Sequence, residues 1–293
     1  MTDADNFFRR AESILDRLER FVPVQEPVDL NSGIAWRWRQ SNNTAGRLQP
    51  IERFNSIALD DLHHIDHQKQ ELVRNTRQFL LGLPANNALL WGPRGTGKSS
   101  LVKALLNTYA DDGLRLIEVE RQDLVDLPDI VDQLHGNNGK FIVFCDDLSF
   151  DEQDSTYRAL KVVLDGSVLS TPDNLIIYAT SNRRHLVPER RADNLDAQPT
   201  DGEIHQSEAV EEKISLSERF GLWLSFHPFN QSRYLDIVDH WLIELKVPAA
   251  PNNMTRTAAL QWALLHGSRS GRSAYQFAKD WAGRQALESN VSR

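Results

Sequence analysis

Apolar residues recur along this chain with two different periods, and the places where the period changes mark its organisation. Leu89 to Trp91, Leu114 to Val119, Phe141 to Cys145, Leu175 to Thr180 and Leu222 to Phe226 are short, nearly continuous apolar runs, as expected of strands buried on both faces. Ile65 to Leu81 follows helical spacing instead. So do Leu101, Val102, Leu105, Leu106 and Tyr109, until Asp111-Asp112-Gly113 ends the run. Strands alternating with helices predict an α/β fold with a parallel sheet flanked by helices. Beyond Pro228 the strand pattern stops, and amphipathic stretches near Ser232 to Leu245, Thr255 to Leu265 and Arg272 to Leu287 predict a small all-helical lid.

Upstream of the alternating region, Phe7, Phe8, Ala11, Ile14, Leu15, Leu18 and Val22 fall on one face of a predicted helix, which Pro23 and Pro27 stop. Residues 23–58 read as irregular, with Pro, Asn and Gly around Trp36-Arg37-Trp38-Arg39. Tryptophans between arginines can stack on nucleic-acid bases. The plainer reading is that they anchor an extended arm to the core. The expected organisation is a helical and extended N-terminal arm over 1–56, an α/β core over 57–227 and the lid over 228–293. Residues 188–213 are polar and read as a surface insertion.

The chemistry concentrates where a strand meets a helix. Gly92, Pro93, Arg94, Gly95, Thr96, Gly97, Lys98, Ser99 and Ser100 follow the apolar segment Ala88 to Trp91 and spell a complete phosphate-binding P-loop. Backbone N–H groups at such a turn converge on one concavity, where anions settle. The glycines allow close backbone approach, Lys98 reaches the β- and γ-phosphates, and Ser99 ligates Mg²⁺. This predicts binding of a nucleoside triphosphate. No Asn-Lys-x-Asp segment for reading guanine occurs, which favours ATP.

Phe141 to Cys145 ends in Asp146 and Asp147, the arrangement called Walker B. At the carboxyl end of a parallel strand Asp146 holds Mg²⁺ through water, and Asp147 orients and deprotonates the attacking water. The bland alternative for Asp147 is a cap on the following helix. Asn182, after the buried run Leu175 to Ala179, stands where an amide touches the γ-phosphate or the water. Arg219 precedes the last strand and Arg272 opens the last helix, and both are candidates to neutralise transition-state charge.

Composition narrows the setting. The net charge of −8 argues against indiscriminate binding of polyanions, although Arg37, Arg39, Arg47 and Arg53, and later Arg183, Arg184, Arg190 and Arg191, form local basic clusters. No apolar run is long enough to span a bilayer, and Asp3 and Asp5 precede any apolar segment, so neither membrane insertion nor a secretory signal is expected and the cytoplasm is the expected location. The single cysteine, Cys145, reads as a reduced core residue. His63, His64 and His67 lack accompanying cysteines and read as residues at a helix start rather than as metal ligands.

Taken together, these motifs resemble the AAA+ ATPase family over roughly residues 57–287. The resemblance implies that Asn182 is sensor 1, Arg219 an arginine finger and Arg272 sensor 2, and that Ile57-Ala58-Leu59-Asp60-Asp61-Leu62 is the adenine-side box. His64 stands where that box often has glycine. Pro84 to Asn87, Phe144 to Phe150, Ala179 to Leu186 and Arg269 to Arg272 more narrowly resemble the bacterial domain-of-unknown-function family eight-fifteen, whose members are predicted ATP-binding proteins. The expectation is an ATPase that uses Mg²⁺, assembles as a homo-oligomer if Arg219 acts in trans, and does conformational work on a protein or nucleic-acid client. A nucleotide-dependent switch with negligible hydrolysis and a helicase-loader-like ATPase are the rival readings, and a small-molecule kinase is a third.

Overall fold

The computed structural model describes residues 29–30, 32–41, 44–54, 57–150, 156–165, 172–184, 186, 216–248 and 251–291, together with Phe7, Arg10 and Glu12. The chain divides into two compact units, Met1–Leu30 and Asn31–Arg293. In the first, Phe7, Arg10 and Glu12 are helical, and the rest of the predicted helix over 5–22 lies outside the described residues, as does the insertion over 188–213.

Among the described residues of the second unit, seven strands form one sheet: β1 (Ala35–Ser41), β2 (Thr44–Pro50), β3 (Ala88–Trp91), β4 (Leu114–Glu118), β5 (Lys140–Cys145), β6 (Leu175–Ser181) and β7 (Leu222–Ser225). Their order is β2-β1-β4-β5-β6-β3-β7. All neighbouring pairs run parallel except β1 and β2, which form an antiparallel hairpin. The helices are α1 (Asp66–Leu80), α2 (Lys98–Tyr109), α3 (Leu127–Leu134), α4 (Thr156–Asp165), α5 (Gln231–Glu244), α6 (Asn253–Leu265) and α7 (Gly271–Val291). The last three make the helical lid. The five strands predicted from apolar runs are all present, and β6 is buried along its whole length.

The hairpin is a correction. Residues 35–50, read from sequence as irregular, extend the sheet, with Ala35, Trp36 and Arg37 of β1 beside Leu116, Ile117 and Glu118 of β4. The period of two explains it. Trp36 and Trp38 point into the core and are 0% and 1% exposed, while Arg37 and Arg39 point outward and pair with Glu118 and Glu120. Trp38 Nε1 donates to Asp126 Oδ2 at 2.9 Å. Gly46 of β2 lies flat on the Trp38 indole, where a Cβ would fall 2.1 Å from a ring carbon, so only glycine admits that contact. The anchoring role of the tryptophans is therefore the observed one, and stacking on bases is not open to them.

Buried polar groups tie α1 to the middle of the sheet. The Tyr178 hydroxyl on β6 lies 3.0 Å from Asn75 Nδ2 and 2.9 Å from Thr76 Oγ1, and its pKa is pushed up to about 12 by burial. Asn75 also exchanges two hydrogen bonds with the backbone of Asn86, and Asn87 Oδ1 accepts from the Ile177 amide at 2.8 Å. The two asparagines before β3 thus set where that strand starts relative to β6, which in turn sets where its far end emerges. Cys145 is buried, and burial pushes its thiol up to about 12, as an inert core residue requires.

Candidate active site

Strands β5, β6 and β3 are neighbours and parallel, so their carboxyl ends open side by side at one edge of the sheet. Those ends carry Asp146 and Asp147, Asn182, and the P-loop. The register makes the juxtaposition specific: Ala179 faces Cys145 on one side, and Thr180 faces Leu90 on the other.

After β3 the chain turns through Gly92, Gly95 and Gly97, all at positive φ, and enters α2 at Lys98. Gly95 meets the lid: a Cβ there would lie 2.7 Å from the Ser270 Cβ, and the Gly95 carbonyl accepts from the Gly271 amide at 2.8 Å. The lid's last helix therefore begins directly against the P-loop, which brings Arg272 to the phosphate end.

Lys98 is 6% exposed, and its Nζ donates to the carbonyls of Gly92 at 2.6 Å and Pro93 at 2.8 Å and lies 3.4 Å from Asn182 Oδ1. Burial is the largest effect on it and lowers its pKa to about 8, against the opposing pull of Asp146 and Asp147 and with further lowering from Arg94 and Arg272. A triphosphate entering the loop would supply the anion that this cation lacks. Ser99 Oγ donates to Asp146 Oδ1 at 2.5 Å, so the hydroxyl and the carboxylate expected to share a metal already adjoin. Hard oxygen donors of this kind suit Mg²⁺, and the residues present fit it.

Thr180, which the sequence reading did not single out, organises the acidic pair. Its Oγ1 donates to Asp146 Oδ1 at 2.6 Å and accepts from the Asp147 amide at 2.9 Å. The signal was available, since a hydroxyl at the tip of an otherwise apolar strand and one register step from a carboxylate has few other reasons to be there. Asp147 adopts a left-handed backbone, φ 55°, which aspartate tolerates better than most residues. Its two carboxylate oxygens are both engaged, Oδ1 by Asn182 Nδ2 and Oδ2 by Arg94 at 3.0 Å.

A cleft of about 480 Å³ runs from the P-loop to the lid, of a size that suits a nucleotide. It is lined by residues 95–100, Asp146 and Arg272 and by the apolar side chains of Ile57, Leu62, Ile65, Ile237, Trp241 and Tyr275. Ile237 and Trp241, four residues apart on α5, and Tyr275 on α7 were not singled out from sequence, where they fall within the amphipathic stretches of the predicted lid.

Arg219 does not join this cleft. It lies three residues before β7, whose first residue pairs with the first of β3, so at least about 10 Å of strand separates it from the P-loop edge. Its guanidinium pairs with Asp165 on α4.

The fold is that of AAA+ P-loop ATPases. The Holliday junction branch migration motor RuvB of Thermotoga maritima superposes with a TM-score of 0.52 at 14% identity, over 76% of this chain and 63% of that one. The ORC1 protein of Aeropyrum pernix, solved with DNA, gives 0.50 at 14% identity over 72% and 57%. In sequence the chain is 28% identical over 217 residues to the 26S proteasome regulatory subunit 6B homolog of Schizosaccharomyces pombe, covering 67% of this chain and 55% of that protein. The chain thus spans about half the length of that relative. Within the superfamily it belongs to the family described as "Protein of unknown function (DUF815)", whose model matches residues 31–285.

Proposed function

We propose that this chain binds ATP with Mg²⁺ in the cleft between sheet and lid, hydrolyses it, and uses the resulting lid movement to work on a macromolecular client. The observation that carries this reading is Lys98 folded into its own loop beside an acidic strand tip, with the Ser99 and Asp146 oxygens in contact. Lys98 and the loop amides would hold the β- and γ-phosphates, and Arg272 would approach them from the lid. Asn182 would orient the attacking water, and Asp147 would accept its proton. Ser99 and Asp146 would hold Mg²⁺, which when bound supplies neutralisation of phosphate charge.

Arg219 cannot serve its own cleft, so a charge-stabilising role requires delivery to a second copy. That supports a homo-oligomer. For the client, the burial of Trp36 and Trp38 and the engagement of Arg37 and Arg39 by glutamates remove the stacking surface that favoured nucleic acid, which leaves a protein client better supported. A second reading, a switch with slow turnover, draws on the engagement of both Asp147 oxygens.

Steady-state phosphate release tests the assignment. Asp147→Asn is expected to keep ATP affinity and to lose about 10²-fold or more in turnover, the usual worth of a positioned base. Undiminished turnover would remove Asp147 from that role, and negligible turnover in the native chain despite tight binding would favour the switch.

A further inference from the structure

Beside the cleft, the segment before α1 and the lid helix α5 exchange side chains in a crossed arrangement. Each contributes one histidine and one aspartate. His64 Nε2 lies 3.0 Å from Asp236 Oδ2, and His240 Nε2 lies 3.2 Å from Asp61 Oδ1. Between the two pairs sits His63, its ring 4.3 Å from that of His240 and its Nε2 buried without a hydrogen-bond partner among the described residues.

The helix makes the geometry economical. Asp236 and His240 are four residues apart on α5, and the adjacent row, Ile237 and Trp241, lines the cleft. Asp61 and His63 line it too. His64 holds a left-handed backbone, φ 62°, a conformation that glycine adopts freely and histidine does not. An imidazole at a position suited to glycine, aimed at a carboxylate on the lid, is better explained by the contact it makes than by backbone preference.

Resting on the ATP-binding reading above, the geometry points to His64 and His240 as positioning residues that fasten the lid over the nucleotide through their crossed aspartates, more firmly when the imidazoles are protonated. The inner pair, with His240 18% and Asp61 19% exposed, carries more of the effect than the outer one, where Asp236 is 49% exposed and solvent screens it. Burial, then His240, His64 and Lys69, lower the pKa of His63 against the pull of Asp61. The other charges nearby are Asp66, 3.9 Å from Lys69 on α1, and Arg256 of α6, which acts on Asp236.

The test is ATP·Mg²⁺ affinity by titration calorimetry at pH 6.0 and 7.5, in the full chain and in an Asp61→Asn/Asp236→Asn variant. The same measurement is made on a His64→Gln/His240→Gln variant, and circular dichroism confirms folding. Both variants share every other titrating group, including those of ATP, so only the difference in pH dependence matters. The native chain should bind at least about threefold more tightly at pH 6.0, relative to pH 7.5, than either variant does. Equal pH ratios in all three proteins overturn the lid fastening while leaving nucleotide binding intact. Absence of binding by the native chain at both pH values overturns the ATP reading and this inference together.

Discussion

The Arg94 guanidinium donates to Asp147 Oδ2 at 3.0 Å, so an ion pair joins the P-loop to the acidic tip of β5. With Asn182 on the other oxygen, both oxygens of the proposed base are engaged, each with a second lone pair still open. The pair is open to solvent, Arg94 being 75% and Asp147 54% exposed. An exposed pair is worth at most about 1 kcal/mol, a factor of roughly five. The contact therefore restrains Asp147 without locking it. Arg94→Ala is expected to raise kcat by no more than about fivefold in steady-state phosphate release. A fall in kcat would instead assign Arg94 to stabilising phosphate charge.

Lys98 gives a pH dependence whose sign is set by its environment. Its pKa in the empty loop is lowered to about 8, and the charged form is the one that meets phosphate. Below that pH nearly every molecule carries the charge and affinity is insensitive to this group. Above it, the binding-competent fraction falls about tenfold per pH unit. Apparent ATP affinity at pH 9 should therefore be about tenfold weaker than at pH 7, measured by calorimetry at constant ionic strength. A flat profile from pH 7 to 9 would show that Lys98 keeps its proton without a ligand.

Thr180 offers a test that separates geometry from charge. Thr180→Val conserves shape, removes the bridge between the Asp146 carboxylate and the Asp147 amide, and leaves that part-buried amide to water. A stability loss of about 0.5–1.5 kcal/mol in urea unfolding is expected, with turnover reduced more than ATP affinity. Equal losses in both would place Thr180 in general scaffolding.

Much of this architecture is legible in the sequence because its central strands are buried on both faces and so appear as unbroken apolar runs. Leu175 to Thr180 is the clearest case. The P-loop is legible because backbone convergence demands glycine at fixed positions. The β1–β2 hairpin was missed for a physical reason: its inward residues are tryptophans separated by arginines, a pattern with the right period but with charges that suggest a solvent-exposed arm. Those charges are instead consumed by Glu118 and Glu120, and nothing local announces a partner about 80 positions away. The same holds for Asp61, His64, Asp236 and His240. Each is an ordinary polar residue in its own segment, and only the approach of lid to core gives the set a meaning. His64 is a partial exception, since an imidazole where the resembling box often has glycine was visible from the start, and the structure supplies the positive φ and the lid carboxylate that go with it.

The central claim is that the loop around Lys98 grips a triphosphate, and calorimetric titration with ATP and Mg²⁺ at pH 7.5, on the native chain and on Lys98→Ala, tests it most directly. Saturable heat at one site per chain in the native protein and none in the variant is the predicted result. No heat in the native protein, or equal heat in both, would contradict it.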